Sequence, residues 1–296
     1  VAPEVVRTMR SQAWAFFTGP QKAKAAVRAE PVSGAQGFHE QGHENVAQLL
    51  GDFSRPPDTV ERIVFRDLHV GGRLQGQSLY GGGDDGLPKI PAQPGFGSAL
   101  EAYVAGVTEL WEVLTRMSEI ALELPEGFFD PFYGTERGTS MQAAHYISRS
   151  ECKEGEDEVA FGAHTDSGGL TILTTDAPGL EVRLRDGWQP VPLIEGTFVV
   201  NVGRLLSRWT NDRWLASVHR VLKPEGRRLT LAFFTSPAAN ANIECLPSCV
   251  PAKYEAVRAG DFMHKRRLLH IPPEQRAEHD RVIPKEFWEA AEPTRA

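Results

Sequence analysis

The feature that most constrains the fold is a series of short segments between residues 140 and 240 in which apolar and polar residues alternate. Turns rich in Gly, Pro, Asp and Asn separate these segments at intervals of roughly ten residues, which is typical of a β-sandwich or a jelly roll. The segments are MQAAHYI, VAFGAHT, LTILTT, LEVRLRDGWQPVP, GTFVVNVG, WLASVHRVLK and RRLTLAFFTSP. The pattern therefore predicts a mainly β core made of many short strands, with a hairpin turn at DGWQPV.

Two segments before this core have helical spacing instead. PEVVRTMRSQAWAFFTG predicts a first helix that ends at Gly19 and Pro20, with apolar residues at Val5, Met9, Trp14 and Phe16 or Phe17. GSALEAYVAGVTELWEVLTRMSEIALEL predicts a longer helix. Its apolar stripe predicts packing against the core and consists of Leu100, Tyr103, Val107, Leu110, Leu114, Met117 and Leu122. The chain is thus expected to be mainly β with a helical cover.

Residues 34–97 are rich in turn signals and contain one short strand candidate, Ile63 to Phe65. Long irregular stretches of this kind are often functional covering loops. We expect the glycine-rich segment HVGGRLQGQSLYGGGDDG to form part of a substrate entrance. Residues 241–296 return to mixed helix and charged surface.

Composition restricts the class of partner. The net charge is −7, so the composition does not show the excess of basic residues that is typical of proteins binding nucleic acid or anionic membranes. A small-molecule partner is therefore favoured. Three cysteines are too few for a disulfide framework or a four-cysteine zinc site. No apolar run approaches the length of a membrane span, and the N-terminus has no signal-peptide pattern. We expect a cytoplasmic, reducing setting. Because the first residue is Val1, we also expect the chain to begin inside a longer reading frame.

A histidine and an aspartate stand two residues apart in HTDSGG. Residues at this spacing in a strand point to one face, so His164 and Asp166 predict two metal ligands that converge. A third candidate is His219 in the strand-like segment SVHRV. Two imidazoles and one carboxylate are the set that binds one face of an octahedral iron(II) ion and leaves the opposite face open. Zinc motifs such as H-E-x-x-H are not evident, so iron is preferred.

The strand RRLTLAFF places Arg228 and Thr230 on one face. A guanidinium inside an apolar strand is costly unless an anion meets it, and arginine is suited to binding a carboxylate through two parallel hydrogen bonds. The hydroxyl of Thr230 is placed to share that carboxylate. The alternatives are an arginine on the surface paired with an acidic residue, and a threonine chosen only for its β-propensity.

These motifs, in this order, closely resemble the isopenicillin N synthase-like group of iron(II)/2-oxoglutarate-dependent dioxygenases. The resemblance is strongest from GAHTDSGG to LAFFTSP and extends more weakly over PEVVRTMRSQAWAFFTGPQKAKAA and PKIPAQPGFGSALEAYVAGVTEL, so it spans most of the chain. It implies a double-stranded β-helix (jelly-roll) core with a long central helix packed outside it. In one catalytic domain, residues 1–139 would cover the barrel, 140–240 form the core, and 241–296 close over the site.

The resemblance also implies roles for residues. The three candidate ligands would bind iron(II), and Arg228 and Thr230 would bind the distal carboxylate of 2-oxoglutarate; the family usually has Ser at the second of these positions. Tyr146 matches a family tyrosine that contacts the co-substrate. The asparagine usually found two residues earlier is Ala144 here. Gln142 shares that face and either substitutes for the asparagine or is a plain strand residue.

The implied activity uses iron(II), 2-oxoglutarate and O₂ to oxidise, by default to hydroxylate, a C–H bond of a small-molecule metabolite, with release of succinate and CO₂. Related halogenases lack the carboxylate ligand, so the presence of Asp166 disfavours halogenation. One alternative is an iron oxidase that performs ring closure without 2-oxoglutarate, since such relatives can keep the arginine. The other is a metal-stapled β-barrel that only binds. The substrate, the final product type and the oligomeric state stay open.

Other polar and aromatic residues have plainer interpretations. His69 and His145 are orienting groups, substrate contacts or, more simply, structural residues. Arg149 is either a solvated charge at a strand end or a contact for an acidic substrate. The aromatic residues expected to fill the core are Trp209, Trp214, Phe233 and Phe234. The histidines expected on the surface or in loops are His39, His43, His264, His270 and His279.

Overall fold

The computed structural model describes residues 1–29, 35–66, 89–134, 137–151 and 158–272. Within these ranges the chain forms the α-helices α1 Pro3–Phe17, α2 Gln21–Ala25, α3 Phe96–Ala121, α4 Asp130–Tyr133, α5 Arg204–Trp209 and α6 Ala259–Leu268. Its strands are β1 Gly37–His39, β2 Val60–Arg66, β3 Arg137–Tyr146, β4 Val159–His164, β5 Leu170–Thr175, β6 Leu180–Leu184, β7 Gly187–Pro190, β8 Val199–Val202, β9 His219–Leu222, β10 Arg228–Ala238, β11 Asn242–Ile243 and β12 Val257–Arg258. Short 3₁₀ helices cover Val46–Leu50, Arg149–Glu151 and Pro247–Cys249.

The strands form two main antiparallel sheets. The major sheet has the order β1-β2-β3-β10-β5-β8, and the minor sheet has the order β4-β9-β6-β7. Apolar residues of both sheets, among them Tyr146, Phe161, Leu173 and Val221, pack into one cluster between them. Two facing antiparallel sheets with crossovers agree with the predicted jelly-roll core.

Strand β10 shows how the alternation in sequence becomes two environments. Leu229, Leu231 and Phe233 belong to the cluster that packs against the helices, whereas Ala232 belongs to the cluster between the sheets. Because side chains alternate along a strand, Arg228 and Thr230 share the inner side with Ala232. The strand therefore carries polar groups into the interior of the barrel.

The helical cover lies on the outer side of the major sheet. The apolar faces of α1 and α3 meet through contacts such as Phe16 with Phe96, and α3 begins after Gly95, whose φ of 84° is readily adopted only by glycine. One residue of the predicted stripe is misplaced, because Met117 is 58% exposed. The buried residue in that turn is Glu119, whose carboxylate accepts hydrogen bonds from the backbone N–H groups of Gly127 and Phe129.

The first part of the chain contributes more to the sheet than its sequence indicated. The strand candidate Ile63 to Phe65 is the middle of β2, and the unpredicted β1 extends the same sheet. The predicted boundary between residues 139 and 140 falls inside β3, and the division into three parts stays a prediction. The glycine-rich segment at 69–86 and residues 273–296 lie outside the described residues.

The hairpin predicted at DGWQPV is confirmed by the pairing of β6 with β7. The segment WLASVHRVLK is a strand only from His219 onward, and the residues Arg204–Trp209 before it form a helix that was not predicted. Where the chain is described, none of its helices is both long and apolar enough to cross a membrane.

Candidate active site

The three predicted metal ligands meet at the open end of the barrel. His164 ends β4, His219 begins β9, and the two residues are direct partners across these strands. Their Nε2 atoms lie 4.0 and 3.8 Å from Oδ1 of Asp166, which follows β4 by two residues. One ligand atom from each of the three residues falls within 4.8 Å of the others, a spacing that suits a single metal ion.

The hydrogen bonds of the two imidazoles determine which ring nitrogen of each faces the place where the three ligand atoms converge. His164 Nδ1 lies 2.8 Å from the carbonyl oxygen of Gly162, and His219 Nδ1 lies 3.0 Å from that of Ser217. A carbonyl only accepts, so both Nδ1 atoms carry the proton and both Nε2 lone pairs are available to a metal.

Electrostatics place these residues in their metal-binding protonation states. Burial, with a smaller contribution from the neighbouring His219, lowers the pKa of His164 to about 3, so this imidazole is neutral near pH 7. Burial raises the pKa of Asp166, but the two histidines and hydrogen bonds from Thr171 and Asn201 outweigh burial, so its pKa lies below the ordinary value. A neutral imidazole and an ionised carboxylate are the forms that coordinate metals.

Asn201 is a site residue that the sequence analysis missed. It lies on β8, and its Nδ2 donates a hydrogen bond of 2.8 Å to Asp166 Oδ2. This bond occupies the oxygen that faces away from the histidines and leaves Oδ1 toward them. Asparagine in the apolar strand segment FVVNVG was the available signal, since a polar side chain that is partly buried in such a strand needs a hydrogen-bond partner.

Arg228, Thr230 and Tyr146 lie on the neighbouring strands β10 and β3, and all three are buried. Arg228 and Tyr146 are cross-strand partners, and the guanidinium carbon lies 4.8 Å from the centre of the Tyr146 ring. Arg228 is 1% exposed; its Nε donates to the carbonyl of Ala177, while its Nη1 has no hydrogen-bond partner among the described residues. Thr230 donates to Thr175 Oγ1 at 3.4 Å. Burial lowers the pKa of Arg228 from its ordinary value, and the groups near it offset this only in part.

A buried arginine of a neighbouring strand lies beside Ala144, the position where the resemblance implied an asparagine. Ala144 stands between Thr230 of β10 and Arg62 of β2. The Arg62 side chain is buried, donates to Gln142 Oε1 at 3.2 Å and forms an ion pair with Glu44. Gln142 therefore orients Arg62, which is the polar cross-strand neighbour of Ala144 on β2.

A cavity of about 230 Å³ opens beside the metal-ligand group. His164 and Asp166 line it, but Arg228, Thr230 and Tyr146 do not. Helix α6 contributes Met263, so part of the predicted closing segment 241–296 does reach the site. The apolar part of the lining consists of Val46, Leu49, Val64, Phe161, Phe234 and Met263.

The described residues contain a second group with metal-ligand chemistry, formed by His39, His43 and Glu44. Its Glu44 already pairs with Arg62, and the charge of Arg62 also contributes to lowering the pKa of His39, after burial, to about 4. A metal ion there would face a guanidinium, so we assign no metal to this group. The interpretation of His39 as a surface or loop residue is wrong, because it is 1% exposed in β1.

The remaining predicted residues separate into structural and surface groups. His145 binds Glu61 at 3.1 Å and packs between Trp14 and Phe17, so it connects the sheet to α1. Arg149 is a solvated charge that pairs with Glu158. Trp209 and Phe233 are buried in the core, Trp214 and Phe234 are partly buried, and His270 lines the cavity. His69 and His279 lie outside the described residues, and His43 and His264 are exposed.

The residues present fit an iron(II) ion and a dicarboxylate co-substrate. Three convergent donors, two of nitrogen and one of oxygen, leave coordination positions free for other molecules. The buried Nη1 donor of Arg228 needs an acceptor, and a carboxylate supplies one.

Comparisons with known proteins agree with this geometry. Residues 138–237 match the model of the 2OG-Fe(II) oxygenase superfamily. The chain is 31% identical over 264 residues to the 2-oxoglutarate-Fe(II) type oxidoreductase hxnY of Emericella nidulans, covering 84% of this chain and 72% of that protein. It is 29% identical over 287 residues to homoarginine-6-hydroxylase 2-ODD-233 of Oryza sativa subsp. japonica, covering 92% and 83%.

A solved structure shows the same fold. A full-length protein of Neurospora crassa, crystallised in complex with alpha-KG and thymine, superposes with a TM-score of 0.75 at 25% identity, covering 90% of this chain and 84% of that chain. The jelly-roll prediction is thereby confirmed, and the isopenicillin N synthase-like grouping is consistent with these relatives. The chain therefore belongs to the 2OG-Fe(II) oxygenase superfamily and is an oxidoreductase that uses iron(II) and 2-oxoglutarate.

Proposed function

We propose that this enzyme hydroxylates a C–H bond of a small-molecule metabolite held in the cavity beside His164 and Asp166. In this proposal His164, Asp166 and His219 bind iron(II). The distal carboxylate of 2-oxoglutarate binds Arg228 and the Thr230 hydroxyl, with Tyr146 beside it. The observation that carries the proposal is the convergence of two Nε2 atoms and one carboxylate oxygen within 4.8 Å.

Iron(II) and 2-oxoglutarate, when bound, supply with O₂ the oxidant that removes hydrogen from a C–H bond, and 2-oxoglutarate leaves as succinate and CO₂. The residues of the chain hold and orient these partners. The backbone carbonyls of Gly162 and Ser217 keep the protons on the Nδ1 atoms, and Asn201 holds Asp166 so that Oδ1 faces the histidines. Phe161, Phe234 and Met263 line the cavity and exclude water from the side of the reacting bond.

The relatives do not favour either alternative. Their names describe 2-oxoglutarate-dependent oxidoreductases and hydroxylases, which speaks against an oxidase that works without 2-oxoglutarate and against a module that only binds. A metabolite rather than nucleic acid as substrate is supported by the net charge of −7 and by the size of the cavity. We also propose a reducing, cytoplasmic setting, which the free thiols of Cys245 and Cys249 support.

The experiment is an anaerobic titration of the metal-free protein, first with iron(II) and then with 2-oxoglutarate. Chelation of iron by the keto acid produces a weak visible charge-transfer band, which we expect in the wild-type protein and not in His219→Ala. His43→Ala is the matched control, because His43 belongs to the second group of potential ligands and should leave the band intact. A band that survives His219→Ala but disappears in His43→Ala would contradict the proposed metal site.

The titration, followed by a reaction with O₂, also distinguishes between the possible types of reaction. Iron binding without a band on addition of 2-oxoglutarate would point to the oxidase that does not use 2-oxoglutarate. After O₂ is admitted, release of succinate that depends on both iron and an added metabolite would support 2-oxoglutarate-dependent oxidation, and the mass of the product would separate hydroxylation from desaturation or ring closure.

A further inference from the structure

The loop 165–169 follows β4 and carries Asp166, and helix α5 holds its backbone from one side. The carbonyl oxygens of residues 166, 167 and 168 accept hydrogen bonds of 2.8, 3.1 and 3.3 Å from the first three backbone N–H groups of α5. These N–H groups have no acceptor within their own helix, so the contact satisfies both partners. The carbonyl of Thr165 is not part of this series and receives its hydrogen bond from a different element.

That element is α6, whose Arg266 holds the residues on both sides of Asp166. Its Nη2 lies 3.3 Å from the carbonyl oxygen of Thr165 and 3.1 Å from the Thr165 hydroxyl. Its Nε lies 3.4 Å from the hydroxyl of Ser167. Because the donors of a guanidinium have a fixed geometry, these contacts fix the residue before Asp166 and the residue after it relative to each other. They thereby restrict the directions that the Asp166 side chain can take.

The Arg266 side chain is buried, which makes it a costly choice for a purely structural contact. It is 1% exposed, and burial, with a smaller contribution from the charge of Arg204, lowers its pKa to about 9, while the charge of Asp166 opposes this shift. The guanidinium is therefore charged at pH 7, and a buried charge is tolerated only where its hydrogen bonds are made. An apolar side chain anchors α6 without that cost, as the buried Phe262 does one turn earlier.

The same helix forms one wall of the cavity. Met263 and Arg267 line the cavity from α6, and His270 lines it just beyond the end of the helix. Residues three and four apart lie on the same face of a helix, so Arg266 stands beside this face. Arg266 therefore connects the wall of the cavity to the loop that carries Asp166, although the two are far apart in the chain.

We propose that Arg266 is a positioning residue for the iron(II) site, which sets the direction of Asp166 and so couples the docking of α6 to the affinity for iron(II). This inference rests on the proposed metal ligands. Coupling of this kind is reciprocal: if the docked helix strengthens iron binding, bound iron(II) stabilises the docked helix to the same extent.

The first measurement is the affinity of the metal-free protein for iron(II), determined anaerobically by competition with a chelator. Arg266→Met keeps most of the length of the side chain but removes its donors. We expect it to weaken iron(II) binding by roughly tenfold, as is typical for the loss of a group that orients a metal ligand. Arg258→Met is the matched control, because Arg258 is exposed in β12, and it should leave the affinity unchanged.

Thr165 tests the same contact from the other side. Thr165→Val keeps the shape but removes the hydroxyl that accepts from Arg266, and should weaken iron(II) binding by about threefold or more, whereas Thr165→Ser should retain the wild-type affinity. The double variant Arg266→Met/Thr165→Val should bind iron(II) no more weakly than Arg266→Met alone, since both changes remove one contact. This comparison separates positioning from a general loosening of the fold. Thr165→Val and Thr165→Ser decide the question if Arg266→Met does not fold.

The second measurement is hydrogen exchange of the backbone amides of α6 in the metal-free and the iron(II)-loaded protein. We expect iron(II) to slow exchange in α6 of the wild-type protein more than in α1, and to lose this selective effect in Arg266→Met. Helix α1 is the internal reference, because iron binding that only stabilised the whole fold would slow exchange in both helices alike.

Wild-type affinity for iron(II) in both Arg266→Met and Thr165→Val would overturn the proposal. Additive losses in the double variant, or exchange in α6 that does not respond selectively to iron(II) in the wild-type protein, would overturn it as well. Failure of the proposed metal site is seen separately, because His219→Ala would then bind iron(II) as tightly as the wild-type protein. Failure of the positioning role alone leaves His219→Ala impaired.

Discussion

Asn201 and Asp166 are joined by a hydrogen bond of 2.8 Å between Nδ2 and Oδ2, and this bond turns Oδ1 of the carboxylate toward His164 and His219. The two residues come from different sheets of the barrel region, since Asn201 lies on β8 of the major sheet and Asp166 follows β4 of the minor sheet. The bond therefore links the metal-ligand group to the frame of the major sheet.

We expect Asn201→Ala to weaken iron(II) binding by roughly 10- to 100-fold, which is typical for the loss of a group that orients a metal ligand. The affinity for iron(II) can be measured anaerobically by competition with a chelator. Asn242→Ala is the control, because Asn242 is an exposed residue of β11. Equal iron affinity in Asn201→Ala and wild type would show that Asp166 is held by its other contacts.

Thr230 offers a test of the co-substrate site through a conservative pair of variants. Thr230→Ser keeps the hydroxyl and should retain the affinity for 2-oxoglutarate. Thr230→Val keeps the shape but removes the hydrogen bond to a charged group, and should raise the dissociation constant by about tenfold or more. The measurement is the 2-oxoglutarate dependence of the charge-transfer band. Identical affinities in the two variants would remove Thr230 from the site.

At Gly203 the backbone lies too close to the loop that follows Asp166 for a side chain to fit. A Cβ at Gly203 would overlap the carbonyl oxygen of Gly168, which follows Asp166 by two residues. We expect Gly203→Ala to lower the free energy of unfolding by about 1–3 kcal/mol through this overlap. Gly226→Ala is the matched control, because nothing lies within 4 Å of a Cβ built there. Denaturant unfolding of both variants is the measurement, and equal stabilities would contradict the prediction.

Asp58 predicts a pH-dependent component of stability. Its carboxylate accepts hydrogen bonds from the backbone of Val46 and Gly162, but burial outweighs them and raises its pKa to about 6 from the ordinary 3.8. Because the folded-state pKa is the higher one, this contribution is fully present below pH 3.8 and is lost as the pH rises through about 6. The total change is about 3 kcal/mol.

Asp58→Asn cannot titrate, so the difference in unfolding free energy between wild type and this variant isolates the effect. We expect the wild-type protein to lose stability relative to Asp58→Asn between pH 4 and pH 7, whatever the overall cost of the substitution. A constant difference across that pH range would show that Asp58 has an ordinary pKa in the folded protein.

The parts of the site that could be predicted are those whose residue types are rare in their local setting. A histidine and an aspartate at strand spacing, and an arginine in the apolar strand RRLTLAFF, stand out because each is costly to bury without a partner. The structure brings His164, Asp166 and His219 together, and it buries Arg228, Thr230 and Tyr146 in one place.

The parts that could not be predicted depend on long-range packing. Asn201 is one polar residue in a β-strand, and nothing near it in the chain identifies Asp166 as its partner. Arg62 and Arg66 belong to a short strand, β2, whose place in the sheet is known only from its pairing with β1 and β3. Met117 fits the apolar stripe of α3 by type, yet it is exposed because Glu119 takes the buried position in that turn to bind the backbone at Gly127 and Phe129.

The sequence by itself determined the alternation that makes β10 apolar on one side and polar at Arg228 and Thr230 on the other, and it determined the donor types that suit iron(II). Both properties are local, since they follow from side-chain chemistry and the two-residue period of a strand. Only the tertiary structure decided that His219 stands opposite His164 and that arginines from β2 and α6 share a cavity with them. These contacts depend on strand register and on which elements pack together. Both are determined by interactions between residues that are distant in the chain.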